Sequence, residues 1–435
     1  MTANTGASRW QHLPEGLGAF RHRNFRLFFT GQCISLIGTW MQQVAQSWLV
    51  LQLTNDPLAL GLVSVAQFLP VMVLGLFGGL AADALPKRNG LLVTQSSSAM
   101  LALVLGLLVI SGDVQVWQVI VLAALLGTVN AFDMPIRQSF GVEMVGRADV
   151  TSAVALNSAV FNGARIVGPA VAGLLIAIIG LAPCFILNAA SYLAVIVGLL
   201  MMRTDELLTP LHERMEHTVG AVMRSLAEGL RYVRRTPSML LAVTIVGVVS
   251  TVALNFQVLM PLAARDLLGG GAITFGLLMA ASGVGSLISA MSMAFGGRPT
   301  LGRLLIGAAS LGAATLGMGL SSSLPLSLVL MGVAGWGIIA MASTTNIIIQ
   351  LSVPDVLRGR VMSVYTTVFA GSTPIGALFA GGVAATAGVA VALVLGGVLA
   401  IAAAIGGLVW VARNDRLSMS AEPALRPLDA GQGAN

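Results

Sequence analysis

Gln32, Ser35, Thr39, Gln42, Gln43 and Gln46 recur at three- and four-residue steps inside an otherwise apolar stretch, with Trp40 and Trp48 beside them. On a helix this spacing draws one polar stripe, which in an apolar solvent must face protein or water. Amides there can hydrogen-bond a solute, and an indole can stack on a planar one. A second group carries charge. Asp133 and Arg137 stand four apart, the spacing of a same-face ion pair, and Arg165 lies alone among apolar neighbours. An arginine at bilayer depth costs about 2.5–3.5 kcal/mol on insertion scales, so it must face the interior toward an anionic solute or a carboxylate. Asp133 is the leading buried acid and a candidate proton carrier, with Arg137 as its partner; a gating or purely structural pair fits the same spacing.

The elements that position these residues follow from composition. Of 435 residues 56% are hydrophobic and 9% charged, and the mean hydropathy is +0.90. A membrane crossing takes about 20 predominantly apolar residues. The chain divides into roughly twelve such runs: 25–51, 58–81, 90–111, 115–137, 152–179, 182–202, 239–263, 272–295, 303–321, 325–351, 361–384 and 387–412. Lipid offers no partner to backbone N–H and C=O groups, and these runs are too long and uniformly apolar for barrel strands, so helices are expected. The fold class is an all-α membrane protein.

Of the 23 Lys and Arg, counting Arg26, Arg137 and Arg303 at run ends with the neighbouring tail or break, all but Arg165 and Arg265 fall on one side. The positive-inside rule assigns that side, and both termini, to the cytoplasm. The net charge of +6 therefore reports topology and contact with membrane lipids, with no call for nucleic acid. No cleavable leader is expected, because the first run follows a polar, basic segment and exceeds a leader's short apolar core. Cys33 and Cys184 both sit in apolar runs, which argues against a disulfide or a metal site.

Residues 203–238 form the longest polar interruption. Within them Val219, Val222, Met223, Leu226, Leu230 and Val233 recur at helical spacing, with Arg224, Arg231, Arg234 and Arg235 between, the pattern of an amphipathic helix on the membrane surface. The expected organisation is a disordered tail 1–18, a six-helix half 19–202, a linker 203–238, a second half 239–412 and a disordered tail 413–435. Gln138 precedes Gly146-Arg147 much as Gln350 precedes Gly359-Arg360, which fits a weak 6+6 repeat. Further polar residues on the runs are cavity candidates: Asn130, Asn162, Asn255, Gln257, Asn346 and Tyr365. For each one, interhelical hydrogen bonding is the alternative.

Two classes of function are excluded or disfavoured. Lys87 is the only lysine and is followed by Arg88, so no phosphate loop of an ATP-driven pump is present. All four histidines, His12, His22, His212 and His217, lie outside the runs, which argues against membrane-embedded catalysis and leaves no cofactor to expect.

The segment GGLAADALPKRNG, residues 78–90, resembles the signature between the second and third helices of the major facilitator superfamily. Gly79, Asp83, Lys87 and Arg88 match it, while Ala84 and Pro86 replace a usual basic residue and glycine. The resemblance implies that Asp83 and the basic cluster link the second helix to the opposite half and hold one gating state. NGARIVGPAVAG, with Gly163, Gly168, Pro169 and Gly173, is similar to the Gly-Pro motif of the exporters in that superfamily. AQFLP, AFDMPIRQSF and EGLRYVRRTP resemble the enterobactin-exporter-like and macrolide-efflux-like branch, the transmembrane secretion effectors. That resemblance covers roughly residues 18–412 and implies a monomeric, proton-coupled exporter of a drug, siderophore or metabolite in a bacterial inner membrane. A facilitator or importer on the same fold, or a scaffold, is the alternative.

Overall fold

The computed structural model describes residues 14–208, 219–295 and 299–414, and among them every regular element is helical. After a short 3-10 turn at Glu15–Arg21 come α1 (Arg23–Thr54), α2 (Pro57–Ala84), α3 (Lys87–Ser111), α4 (Val116–Ile179) and α5 (Ala182–Leu200). Then follow α6 (Val219–Arg235), α7 (Pro237–Ala253), α8 (Phe256–Leu262), α9 (Ala272–Ala294), α10 (Leu301–Leu320), α11 (Leu324–Ser352), α12 (Asp355–Ala387) and α13 (Val389–Arg413).

Ten candidate spans are long and apolar enough to cross a membrane among the described residues. Composition leads one to expect roughly twelve, and two elements account for the difference. α4 has 64 residues, roughly 96 Å of helix and far more than a hydrocarbon core of about 30 Å. It folds at Gly146, whose φ of 69° and ψ of 177° leave the helical region; a Cβ would be strained there. The break expected at 138–151 is thus helical except at this one glycine. α1 is the other: its 32 residues carry the polar stripe, which dilutes its apolar character.

Local chemistry sets the remaining ends. Asp56 caps α2 by accepting from Leu58 N at 2.8 Å, with Pro57 in the first turn. Asn55 closes α1 in the left-handed region, where Asn is tolerated. The run expected at 239–263 is interrupted at Leu254–Asn255 and resumes as α8, which passes through one π turn to Leu267. The turn at Glu15–Arg21 overlaps the tail expected at 1–18. Ser152 ties the first turn down, accepting from Ala19 N and donating to Gly16 O. The expected tail residues 1–13 and 415–435, and residues 209–218 of the expected linker, lie outside the described residues.

α1 packs on α4 and α5, α3 on α5, and α2 on α4; after α6, α10 packs on α11 and α13, and α9 on α11. Between these two sets the most extensive contacts are α2 with α12 and α4 with α9, and α8 also touches α1 and α2. Small residues make both possible. A Cβ on Gly61 would lie 2.7 Å from Ala377 O, and one on Gly173 would lie 2.8 Å from Ala272 O, so the backbones approach directly.

Those close approaches lie toward the end of the bundle that carries Asn55. The hydrogen bonds linking helices before and after α6 gather there too, among the described residues: Ser47 to Gln257, Gln257 to Gln43 and Arg265 to Asn55. Trp48 stacks on Phe275 nearby, with ring centroids 6.2 Å apart. The opposite end carries α6, which rests on α12 through an ion pair between Arg360 and Glu228.

Candidate functional site

The polar stripe of α1 divides three ways. Near the α6 end, Gln32 is buried, and its Oε1 accepts from Arg137 at 2.5 Å. Arg137 also pairs with Asp133, donating from Nε at 2.9 Å. The other Asp133 oxygen accepts from Thr94 Oγ1 at 2.6 Å and Gln95 Nε2 at 2.7 Å. Asp133 is 2% exposed. A buried carboxylate with one cation and two neutral donors is fully provided for, so α1, α3 and α4 are locked to one another by a single acid.

Midway along α1, Gln42 accepts from Asn188 of α5 at 2.6 Å, and Thr39 donates to the Ser35 carbonyl of its own helix. Ser35 is buried within this packing. Toward the Asn55 end, Gln43, Gln46 and Ser47 face α2 and α8. Gln46 donates to Gln67 at 3.1 Å, and Ser47 and Gln43 bind Gln257. These side chains, with Leu60, Val63 and Phe68, line a small cavity of about 20 Å³, room for a water molecule.

Arg165 stands on the second arm of α4. Its guanidinium carbon lies 5.7 Å from the centre of the Trp40 ring, and Trp40 meets Phe161 edge to face at 5.6 Å. Of the two partners expected for Arg165, the carboxylate is absent: among the described residues no acid pairs with it. The residues around it are the exporter-like motif. A Cβ on Gly168 would lie 2.6 Å from Trp40 Cβ and 2.8 Å from Ile37 O, so this glycine lets α4 touch α1. Pro169 and Gly173 press against α9 in the same way, whereas a Cβ on Gly163 would meet nothing within 4 Å.

The resemblance implies that Lys87 and Arg88 reach the opposite half. Both bind on their own side instead. Lys87 Nζ donates to Glu143 Oε1 of α4 at 2.5 Å, and Arg88 Nε donates to Leu199 O at 2.7 Å, a cation at the C-terminal end of α5. The Asp83 side chain lies outside the described residues, and Gly79 has open space around it. Glu143, which falls in the break expected at 138–151, is a buried partner of Lys87.

The other cavity candidates scatter. Asn255 is buried and donates to Thr251 O of the preceding helix, and the Tyr365 hydroxyl donates to Ala342 O at 3.2 Å. Asn162 donates to Ser158 O, Asn346 accepts from Gln350, and Asn130 is half-buried one turn before Asp133. Thr94, Gln95, Gln67 and Phe161 do not stand out in the sequence as site residues. For the first two a signal is present: a TQSSS run of polar residues inside an apolar span.

A bundle of helices long and apolar enough to cross a membrane, with buried polar groups joining them, fits a membrane transporter. The chain belongs to the transmembrane secretion effector family, part of the major facilitator superfamily, which it matches over residues 15–427. It is 30% identical to the multidrug efflux pump Tap of Mycolicibacterium fortuitum, over 81% of this chain and 87% of that one. It is 24% identical to the staphyloferrin A transporter of Staphylococcus aureus, again over 81% and 87%. The crystal structure of the nucleoside transporter NupG superposes with a TM-score of 0.68 at 12% identity, covering 89% of this chain and 98% of that one.

Proposed function

We propose that the protein is a secondary transporter that exports a small molecule by alternating access, and that its structure is the state open at the α6 end. It crosses the membrane twelve times, as two six-helix halves joined by residues 203–238. It works as a monomer in the bacterial inner membrane, with both termini and α6 in the cytoplasm. Its partners are a small-molecule substrate, protons and membrane lipids.

One observation carries this proposal. The glycine contacts and hydrogen bonds linking the two halves gather at the Asn55 end, while polar faces near the α6 end are exposed. Thr151 and Ser158 on α4, and Ser363, Thr366 and Thr367 on α12, are exposed in this way. Ser363 and Thr366 also donate to Gly359 O and Met362 O of their own helix, and we read the two polar faces together as walls of a water-filled vestibule. Closure of one end and wetting of the other is the asymmetry that rocking between two states requires.

Asp133 and Arg137 are the proposed coupling pair. Protonation of Asp133 would release Arg137 and with it Gln32 of α1, so a proton taken up there would loosen the packing of α1 on α4. Family membership and the name of the multidrug efflux relative support export as the direction, and the names of the two relatives support drugs or siderophores as cargo.

The experiment is efflux of a panel of hydrophobic antibiotics and carboxylate siderophores from cells expressing the protein, with and without a protonophore. Expulsion of a compound that the protonophore abolishes is the expected result. Accumulation rather than expulsion would identify an importer instead.

A further inference from the structure

We propose that Arg165, Trp40 and Phe161 form an anion-binding subsite that selects organic acids carrying a planar apolar group. This inference rests on the vestibule described under the proposed function.

The second arm of α4 presents one continuous exposed face. Thr151, Val154, Ala155, Ser158 and Phe161 are exposed along it, and Asn162 and Arg165 are half-buried. Beyond Arg165 the face ends, because Gly168, Pro169 and Gly173 bring α4 against α1 and α9. Arg165 therefore stands at the deep end of the wetted wall, where the two halves begin to touch.

Its electrostatics are incomplete. Of the two positive side chains deepest in the spans, Arg137 has a carboxylate and an amide as partners. Arg165 has an aromatic face and, among the described residues, no acid. A ring quadrupole holds a guanidinium in place but leaves its N–H donors unused at the ring edge. A planar fork of donors in a site of low dielectric is matched by a carboxylate, which it can bind through two parallel hydrogen bonds.

The aromatic pair adds a second requirement. One face of Trp40 is taken by Arg165, and Phe161 meets the indole in a T-shaped contact, so the indole itself is engaged. Phe161 is 46% exposed, and that exposed ring is the surface left for a planar substituent. The arrangement offers one anionic contact and one flat apolar contact side by side. A neutral solute of equal shape would satisfy the second and leave the guanidinium unmatched.

Equilibrium binding to the purified full-length protein tests this, read by quenching of its tryptophan fluorescence. The probes are naphthalene-2-carboxylate and its methyl ester, which share a shape and differ in charge. A charge-assisted contact predicts that the acid binds about tenfold to a hundredfold more tightly than the ester. Arg165→Gln should abolish that preference, Arg165→Lys should keep part of it, and Phe161→Ala should weaken both probes alike. Equal binding of acid and ester, a preference that survives Arg165→Gln, or no saturable binding of either probe would overturn the proposal. Because binding is measured without transport, a failed efflux assay alongside a retained acid preference would overturn the export proposal and leave this subsite standing.

Discussion

Lys87 Nζ and Glu143 Oε1 meet at 2.5 Å with their side chains 5% and 12% exposed, so the first residue of α3 is tied to the end of α4's first arm by a nearly dry ion pair. The two residues lie 56 positions apart. Sequence resemblance marks Lys87 as part of a gate, and its contact joins helices on the same side of α6 rather than across the bundle.

Removing one partner of such a pair should therefore cost stability before it costs gating. Lys87→Ala or Glu143→Ala leaves a buried charge unmatched, which costs about 3–5 kcal/mol. Replacing both, as Lys87→Met with Glu143→Leu, should recover most of the loss. Thermal unfolding of the purified variants in detergent checks this, with each single variant melting well below the double. Equal melting of all three would make the pair irrelevant to stability.

Many helices can be read from the sequence, though neither the continuation of α4 past residue 137 nor the interruption at Leu254–Asn255 can. The expected run at 272–295 is Ala272–Ala294, and 387–412 is Val389–Arg413, because a membrane fixes the length of an apolar run. Partnerships cannot be read. Helical periodicity places Asp133 and Arg137 on one face, yet nothing in it names Thr94 and Gln95, 39 and 38 positions away, as the donors to Asp133. The same limit hides Glu143, whose burial depends on where α3 begins. Glycine contacts are legible as motifs and not as geometry: Gly163 and Gly168 belong to one motif, and only Gly168 touches a neighbour.

The acid at the centre of the proposed coupling gives a second prediction. Asp133→Asn retains an oxygen for Thr94 and Gln95 but removes the charge that balances Arg137. Proton-dependent efflux should be lost, while exchange of substrate down its own gradient continues. Combining Asp133→Asn with Arg137→Gln should melt at a higher temperature than either change alone, since neither charge is then stranded. Proteoliposomes with an imposed pH gradient separate the two readouts. Unaltered pH-driven transport in Asp133→Asn would remove this residue from the coupling mechanism.

On the α6 side, Arg360 pairs with Glu228, and both are about one-third exposed. A pair this wet contributes about 0–1 kcal/mol. Glu228→Gln should accordingly leave global melting unchanged and show only in local opening. Faster hydrogen exchange over residues 223–235 than in the unmodified protein is the expected sign, with the swap Glu228→Arg and Arg360→Glu restoring protection. No change in exchange would mean that α6 is held by its apolar face, where Val233 is buried.

The motif glycines separate packing from movement. At Gly168 an added methyl meets Trp40 Cβ at 2.6 Å and Ile37 O at 2.8 Å, and a backbone oxygen cannot step aside as a flexible side chain can. Gly168→Ala should cost about 1–3 kcal/mol by forcing α1 and α4 apart. Gly163→Ala meets nothing and should be neutral or slightly stabilising, because Ala is the better helix former. Gly173 differs from both, since its methyl would press on Ala272 O at 2.8 Å across the contact between α4 and α9. That contact belongs to the end proposed to be closed, so Gly173→Ala should weaken closure there and shift the population toward the opposite state. Single cysteines placed near Asn55, at the end proposed to face away from the cytoplasm, and labelled from that side should react faster in Gly173→Ala than in Gly163→Ala. Equal labelling rates would mean that the glycine contact packs the bundle without setting which end is open.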